Sequence, residues 1–463
     1  MPSQEYAPSK LRSNMRLSII EGVVAMPLVF MTMPGNFLVA SLATDLLNIS
    51  AGSYGIIASL PAWCNILQLF AIPAMTRRAS QKGICLAFSW VHLLCWAILA
   101  GALPYIPQDG SWPAVVFMIS LFGASSFAFA IINISWASWI QEWLPMKSRG
   151  KYLGRRNRIL QCGTVAFLLI ASQTIQAFSQ ADLTRAFQWI IAIGILLRAY
   201  SIYLQQNIYS REEASLDREG TLLSKFKIIL KHKSLFRFIM FGAAFGLTAN
   251  FMGPFFPVFL LQSLEMAPNQ VGYAVTIATI TGALSMPLWG RLIDQHGCRP
   301  SLIISLSFWM VNGYLFFWTS PESKWLVYLI FASGGIFGSA FLFGSFAMIL
   351  KLVPREAKTA AISLNLAATS LAGALSPIAG GFAIEWVQAR SDDVLGIFHT
   401  FSAIHHTLIL TTVTILFTIE EPKSSSIRQA VGSMRALRQA GALLGMSHFV
   451  NYSFFKKRKD PEE

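Results

Sequence analysis

The sequence predicts an all-α membrane protein with twelve transmembrane helices in two pseudo-symmetric halves of six. Three observations carry that prediction. The 463-residue chain is 54% hydrophobic and only 13% charged. Soluble domains carry about a quarter charged residues, so a bilayer must be the solvent for much of this chain. Apolar stretches of spanning length, about 20 residues, occur at 18–42, 53–75, 83–105, 112–140, 158–179, 186–206, 235–262, 270–292, 301–320, 324–350, 359–387 and 394–418. The loops between them repeat. Glu142-x-x-Pro145-x-x-x-Arg149-Gly150 recurs as Lys351-x-x-Pro354-x-x-x-Lys358-Thr359, and Gly290-x-x-x-Asp294-x-x-Gly297-x-Arg299-Pro300 has a worn copy, Pro73-x-x-x-Arg77-x-x-Ser80-x-Lys82-Gly83. A duplicated half with basic loops between spans is the pattern of transporters built from two repeats.

The elements follow in order. No cleavage site follows the first apolar run, so the sequence predicts a retained span rather than a signal peptide. Six spans make an N-terminal half over 1–206. The polar stretch 207–234, with Arg211, Glu212, Glu213, Asp217, Arg218 and Glu219, is the expected linker. A second half occupies 235–418, and 419–463 forms a basic tail. There Ile427, Val431, Met434 and Leu437 recur at helical spacing between Arg428, Arg435 and Arg438, which predicts an interfacial helix on anionic lipid.

The formal charge of +14 lies in loops and tails. That placement points to the lipid bilayer and topology rather than to nucleic acid. Lys10, Arg12, Arg16, Arg77, Arg78, Lys82, Lys147, Arg149, Lys151, Arg155, Arg156, Arg158, Arg291, Arg299, Lys351, Arg355, Lys358 and the basic linker and tail fall on one side, against Arg185, Lys324 and Arg390 on the other. The asymmetry predicts a multi-pass protein of the cytoplasmic (inner) membrane with both termini in the cytoplasm. Five cysteines include no CxxC pair. The sequence has no Walker loop, metal cluster or nucleophile motif, so no enzyme activity and no cofactor are expected. An ion gradient, the proton's above all, is the expected energy source, and a monomer the expected state.

These loop motifs resemble those of the major facilitator superfamily. The Gly290–Pro300 segment is similar to the family's signature between spans eight and nine, and the segment from Glu142 to Gly150 to its signature after span four. Arg149-Gly150-Lys151-Tyr152-Leu153-Gly154-Arg155-Arg156-Asn157-Arg158 resembles a bacterial subgroup of largely unassigned substrate. The resemblance implies two six-helix bundles, a central cavity and alternating access. It also implies gating roles for Asp294, Arg299, Glu142 and Arg149, with Asp294 meeting the N-terminus of span five. The first copy departs: Arg77 stands in place of the acid, and Glu356 is its expected partner. Lys351 replaces the acid in the second copy of the other motif.

Spans one, four, seven and ten line the cavity in that family. Polar residues within spans are costly and need a reason. Glu21, Thr32 and Asn36 share a face of span one; Phe129, Asn133 and Trp136 share one of span four; Asn250 lies in span seven. Asn65, Gln68 and Asn365 lie in spans two and eleven. These residues are the substrate-binding candidates. Gly334 and Gly338 are expected to be packing contacts. Amides, hydroxyls and aromatic faces suit a neutral polar compound such as a sugar or glycoside. Glu21 is the coupling candidate, either as a proton carrier or in a salt bridge with Arg16 or Arg198. The expectation is proton-coupled uptake of a small solute. Multidrug or metabolite efflux by proton antiport is the alternative, and a non-transporting receptor or lipid-handling protein a further one.

Overall fold

The structure is a computed structural model that describes residues 8–33, 35–76, 79–178, 182–209, 232–353, 358–421 and 424–432. Arg77, Glu356, most of the predicted linker and the end of the tail lie outside the described residues. Within them the chain is helical, with twelve helices long and apolar enough to cross a membrane. They are α1 (Ser9–Thr32), α2 (Ala51–Thr76), α3 (Gln81–Tyr105), α4 (Trp112–Trp143), α5 (Tyr152–Ala177), α6 (Leu183–Gln206), α7 (Lys233–Gln262), α8 (Pro268–His296), α9 (Cys298–Trp318), α10 (Trp325–Leu352), α11 (Ala361–Gln388) and α12 (Val394–Phe417). An even number of crossings puts the first and last described residues on one face, called here the terminal face, opposite the far face.

Two helices differ from their sequence-predicted extents. The first span, predicted over 18–42, ends at Thr32. Gly35 has φ of 68°, and Asn36 caps a new short helix, Phe37–Leu46, by accepting from the Val39 amide. A left-handed residue followed by an Asn cap is a chain break written in local chemistry. The seventh span is interrupted by a 3₁₀ turn at Gly253–Phe255, because Pro254 lacks the amide that would continue the helical ladder.

Helices α1–α6 pack mainly among themselves, and so do α7–α12. The principal exceptions are α2 with α11 and α5 with α8, joined by the short helix Phe37–Ser41 against Phe256–Gln262 at the end of α7. In contrast, α1 packs on α5 and α6, α4 on α2 and α3, α7 on α11 and α12, and α10 on α8 and α9. Those four helices pack mainly within their own halves.

Small residues set the close approaches. A Cβ on Gly335 would sit 2.1 Å from the Ala278 carbonyl, so α8 and α10 touch backbone to backbone. Gly334 and Gly338 receive the Trp309 indole at 3.2 Å from their ideal Cβ positions. Small-x-x-x-small spacing thus serves helix contact, its usual role in a bilayer. The described start of the tail docks on protein. Ser425 donates its amide to the His296 carbonyl at 2.8 Å, and Ile427, Ala430 and Val431 pack with Trp289, Leu292 and Phe337.

Candidate functional site

The N-terminal half holds a buried charge network. Glu21 is 3% exposed. Its Oε1 accepts from Gln205 Nε2 at 2.7 Å and from Ser201 Oγ at 3.2 Å, with Arg198 Nη1 at 3.9 Å. Its Oε2 faces Arg156 Nη2 at 3.6 Å. Arg198 also donates to Ser89 Oγ at 2.8 Å, and Arg156 donates through Nε to the Ser18 carbonyl at 3.1 Å. The Arg156 guanidinium lies 4.1 Å from the centre of the Trp136 ring. Gly22 makes the site possible: a Cβ there would be 2.5 Å from Arg156 Nη2. One carboxylate thus faces two guanidinium groups across α1, α5 and α6, at a depth where unpaired charge is costly. Arg156 and Arg198 thus share one counter-charge.

Further along α1, Thr32 donates to the Leu28 carbonyl at 2.8 Å, accepts from Trp96 Nε1 at 3.1 Å and meets His92 Nε2 at 2.8 Å. The face of α1 carrying Glu21 and Thr32 therefore turns into its own half, toward α3 and α6.

The halves meet at the far face. Glu385 of α11 accepts from the Gly52 amide at 2.9 Å and from Ser50 Oγ at 3.3 Å. A carboxylate thereby sits at the positive N-terminal end of α2, on the opposite half. Tyr54 donates to the Pro254 carbonyl at 3.2 Å and packs edge-on to Phe255. Gln262 donates to Asp45 at 3.1 Å. Glycines bring the backbones together, since a Cβ on Gly55 or Gly381 would lie 2.3 Å from the Pro377 carbonyl or 2.4 Å from the Ala51 carbonyl. On the second seam Ser172 fits against Gly272, and Gln173 donates to the Tyr273 hydroxyl. All these cross-half contacts lie toward the far face. Arg155, Arg158 and Asp294, at the terminal ends of α5 and α8, are exposed. Among the described residues these bonds between the halves gather at the far face.

Comparison with known proteins agrees with this geometry. A family model described as Major Facilitator Superfamily matches residues 239–458. Over those residues the chain is similar to the major facilitator superfamily. The multi-drug resistance efflux pump PmrA of Streptococcus pneumoniae serotype 4 is 32% identical over 152 residues, covering 32% of this chain. The aligned part spans only 37% of that pump's length. Among solved structures, the nucleoside transporter NupG has a TM-score of 0.62 at 16% identity, covering 89% of this chain and 98% of its own. The inward-open xylose transporter XylE from E. coli gives 0.63 at 14%, covering 92% and 99%. Those structures share the fold of this chain.

The family's loop residues act at the terminal face. Arg149 donates to the carbonyls of Gln141 and Leu144, both at 3.2 Å, closing the end of α4. Arg299 donates to the Leu416 and Phe417 carbonyls at 3.1 and 2.8 Å, closing the end of α12. Asp294 is exposed, with no ion pair among the described residues, and Glu142 is exposed at the end of α4. The sequence-nominated binding residues are scattered rather than gathered. Asn36 is spent on its cap, donating also to the Met31 and Met33 carbonyls. Gln68 donates to Asn65 at 3.2 Å, and Asn250 to the Gly246 carbonyl at 2.8 Å. Asn365 Oδ1 lies 3.3 Å from where a Cβ on Gly242 would be. Phe129 packs beside His92, Trp136 beneath Arg156, and Asn133 is exposed.

Two acids escaped the sequence reading. Glu385 was visible as a carboxylate inside the predicted eleventh span, a placement that in a membrane asks for a partner. Glu421 is buried just past α12. It accepts from the amides of Cys298 and Arg299 at 2.9 and 2.7 Å and from Lys351 Nζ at 3.0 Å. Its signal was an acidic pair, Glu420 and Glu421, opening an otherwise basic tail.

Proposed function

We propose that this chain is a secondary active transporter of the cytoplasmic membrane that exports amphipathic organic compounds by alternating access, driven by protons. The carrying observation is that four of the six amides nominated for a sugar are bonded within the protein itself. Asn36, Gln68 and Asn250 each donate to protein acceptors, and Asn65 accepts from Gln68. Aromatic pairs also stand close in the second half, as with Phe245 and Phe341, whose ring centres are 4.2 Å apart. Aromatic faces suit apolar and amphipathic ligands better than polyhydroxylated ones. Similarity to a protein named as a multi-drug resistance efflux pump supports the same direction.

Glu21 is the assigned proton site. Binding a proton there releases Arg156 and Arg198 from their shared counter-charge, giving the cluster two arrangements with different electrostatic cost. With the termini in the cytoplasm, halves joined at the far face would load an exporter's cargo from the terminal face.

Uptake of a neutral polar compound is the second reading, favoured by the fold shared with a nucleoside and a xylose transporter. Inside-out vesicles decide between them. Ethidium should accumulate when respiration acidifies the lumen, and Glu21→Gln should abolish that dependence. Gradient-driven entry of xylose or uridine into right-side-out vesicles, with no movement of ethidium, overturns the export reading.

A further inference from the structure

The two cations that share the Glu21 carboxylate are held differently. Arg198 has two hydroxyl partners of its own, donating to Ser89 Oγ at 2.8 Å and to Ser201 Oγ at 3.2 Å. Arg156 has one further acceptor, the Ser18 carbonyl, reached through Nε at 3.1 Å. The rest of its guanidinium lies between Glu21, with Nη2 3.6 Å from Oε2, and the Trp136 ring, whose centre is 4.1 Å away. That ion pair is longer than the roughly 2.7–2.9 Å of a close charge-assisted hydrogen bond. Arg156 is 8% exposed, and a Cβ on Gly22 would already lie 2.5 Å from its Nη2, so the group is enclosed. Besides the two arginines, the titratable side chains facing Glu21 are Cys85 of α3 and Tyr152 of α5, whose hydroxyl donates to the Met15 carbonyl at 2.9 Å. His92 of α3 is turned to Thr32, and α4 presents the uncharged Trp136 ring.

A guanidinium cut off from its counter-charge inside a protein must find another partner. An aromatic face attracts a cation through its quadrupole, most strongly for tryptophan and away from water. A proton on Glu21 Oε2, the oxygen facing Arg156, leaves Oε1 accepting from Gln205 and Ser201, and leaves Arg198 its two hydroxyls. Of the two cations, Arg156 is then the one short of a partner, and the Trp136 ring already lies against it. We propose that Trp136 is a positioning residue of the proton site: its ring holds the Arg156 guanidinium while Glu21 is protonated, so that the proton and Arg156 take turns at one carboxylate. This inference rests on the reading of Glu21 as the proton site and is independent of the direction of transport. It gives Trp136, a substrate-binding candidate by sequence, a place in coupling instead.

The test is infrared spectroscopy of the full chain in lipid nanodiscs, recorded as the medium is acidified from mildly basic to mildly acidic. A protonated-carboxyl band that appears in the wild type and is missing in Glu21→Gln belongs to Glu21. Trp136→Leu, which fills space without a ring, should weaken that band about threefold at a given mildly acidic pH, the equivalent of one cation–π contact. Trp136→Phe keeps a ring face and should restore about half of the loss or more. In an Arg156→Gln background, Trp136→Leu should change the band no further, because the cation it acts through is gone. A merely structural tryptophan would not show that dependence on Arg156. If Trp136→Leu fails to fold, Trp136→Met takes its place. An undiminished band in the leucine variant, an equal loss in the phenylalanine variant, or a further loss in the Arg156→Gln background overturns the role of Trp136 and leaves the proton site standing. Identical spectra for the wild type and Glu21→Gln sink the proton site, and this inference with it.

Discussion

Lys82 and Arg299 occupy matching places in the two halves and close matching helix ends. Lys82 Nζ donates at 2.8 Å to the carbonyls of Gln206 and Ile208, at the end of α6. Arg299 reaches the Leu416 and Phe417 carbonyls at the end of α12. The last carbonyls of a helix have no intrahelical donors, and a cation there also meets the negative end of the helix dipole. The third helix of each half thus brings a cation to the sixth. The N-terminus of that third helix is satisfied differently in the two halves. Ser80 caps α3 through its own hydroxyl, accepting from the Gly83 amide, whereas α9 begins at Gly297 with φ of 99° and borrows the Glu421 carboxylate.

Replacing either cation with alanine should cost about 1–2 kcal/mol, the value of charge-assisted bonds at a helix end. The two sites share no partner, so the double variant should lose the sum of the single losses. Thermal unfolding in detergent measures this; a double variant no less stable than the singles would show that neither cap matters.

Glu421→Ala should cost more, about 2–4 kcal/mol, because it orphans two helix amides and an ammonium group at once. The amides carry most of that loss. Lys351 is 45% exposed on its side chain, so Lys351→Ala should cost under about 1 kcal/mol. Comparable losses for the two substitutions, read from chemical denaturation, would reverse this ranking.

Removing the far-face carboxylate with Glu385→Gln should shift the population toward molecules open at that face. Spin labels at Asn48 and Gln388 in a cysteine-free background should then show an added long-distance component. Gly55→Leu should do the same more strongly, since its first side-chain carbon already meets the Pro377 carbonyl at 2.3 Å. Unchanged distance distributions in both variants would remove these contacts from the closure.

Glu21→Ala should destabilise the fold by about 3–5 kcal/mol, because it strands Arg156 and Arg198 in the interior. Glu21→Gln keeps the Gln205 and Ser201 hydrogen bonds and should cost clearly less. Thermal unfolding of the pair separates the lost charge from the lost shape; equal losses would mean that the arginines are not held by the charge of Glu21.

How far the sequence reached depends on the range of the forces involved. Span count follows from hydrocarbon thickness and the 1.5 Å helical rise, so twelve apolar runs become twelve helices. The repeat placed Lys82 opposite Arg299 before any contact was known. The pairing of Glu21 with Arg198 was legible because a buried carboxylate must find a cation. Its second cation, Arg156, looked from the sequence like part of a basic loop, and only the depth of α5 draws it inside.

The sequence by itself determined the solvent, the number of crossings and the twofold repeat, because hydropathy and spacing are local properties. Only the tertiary structure decided which polar residues remain free. Helical periodicity tells which residues share a face, but not which neighbour that face meets. Thr32 and Asn250 therefore read as cavity residues until α3 supplied His92 and Trp96, and the helix's own Gly246 carbonyl took up the amide. The far-face contact of Glu385 with Gly52 joins α11 to α2 across the two halves. No local rule sets that distance; the packing of twelve helices does.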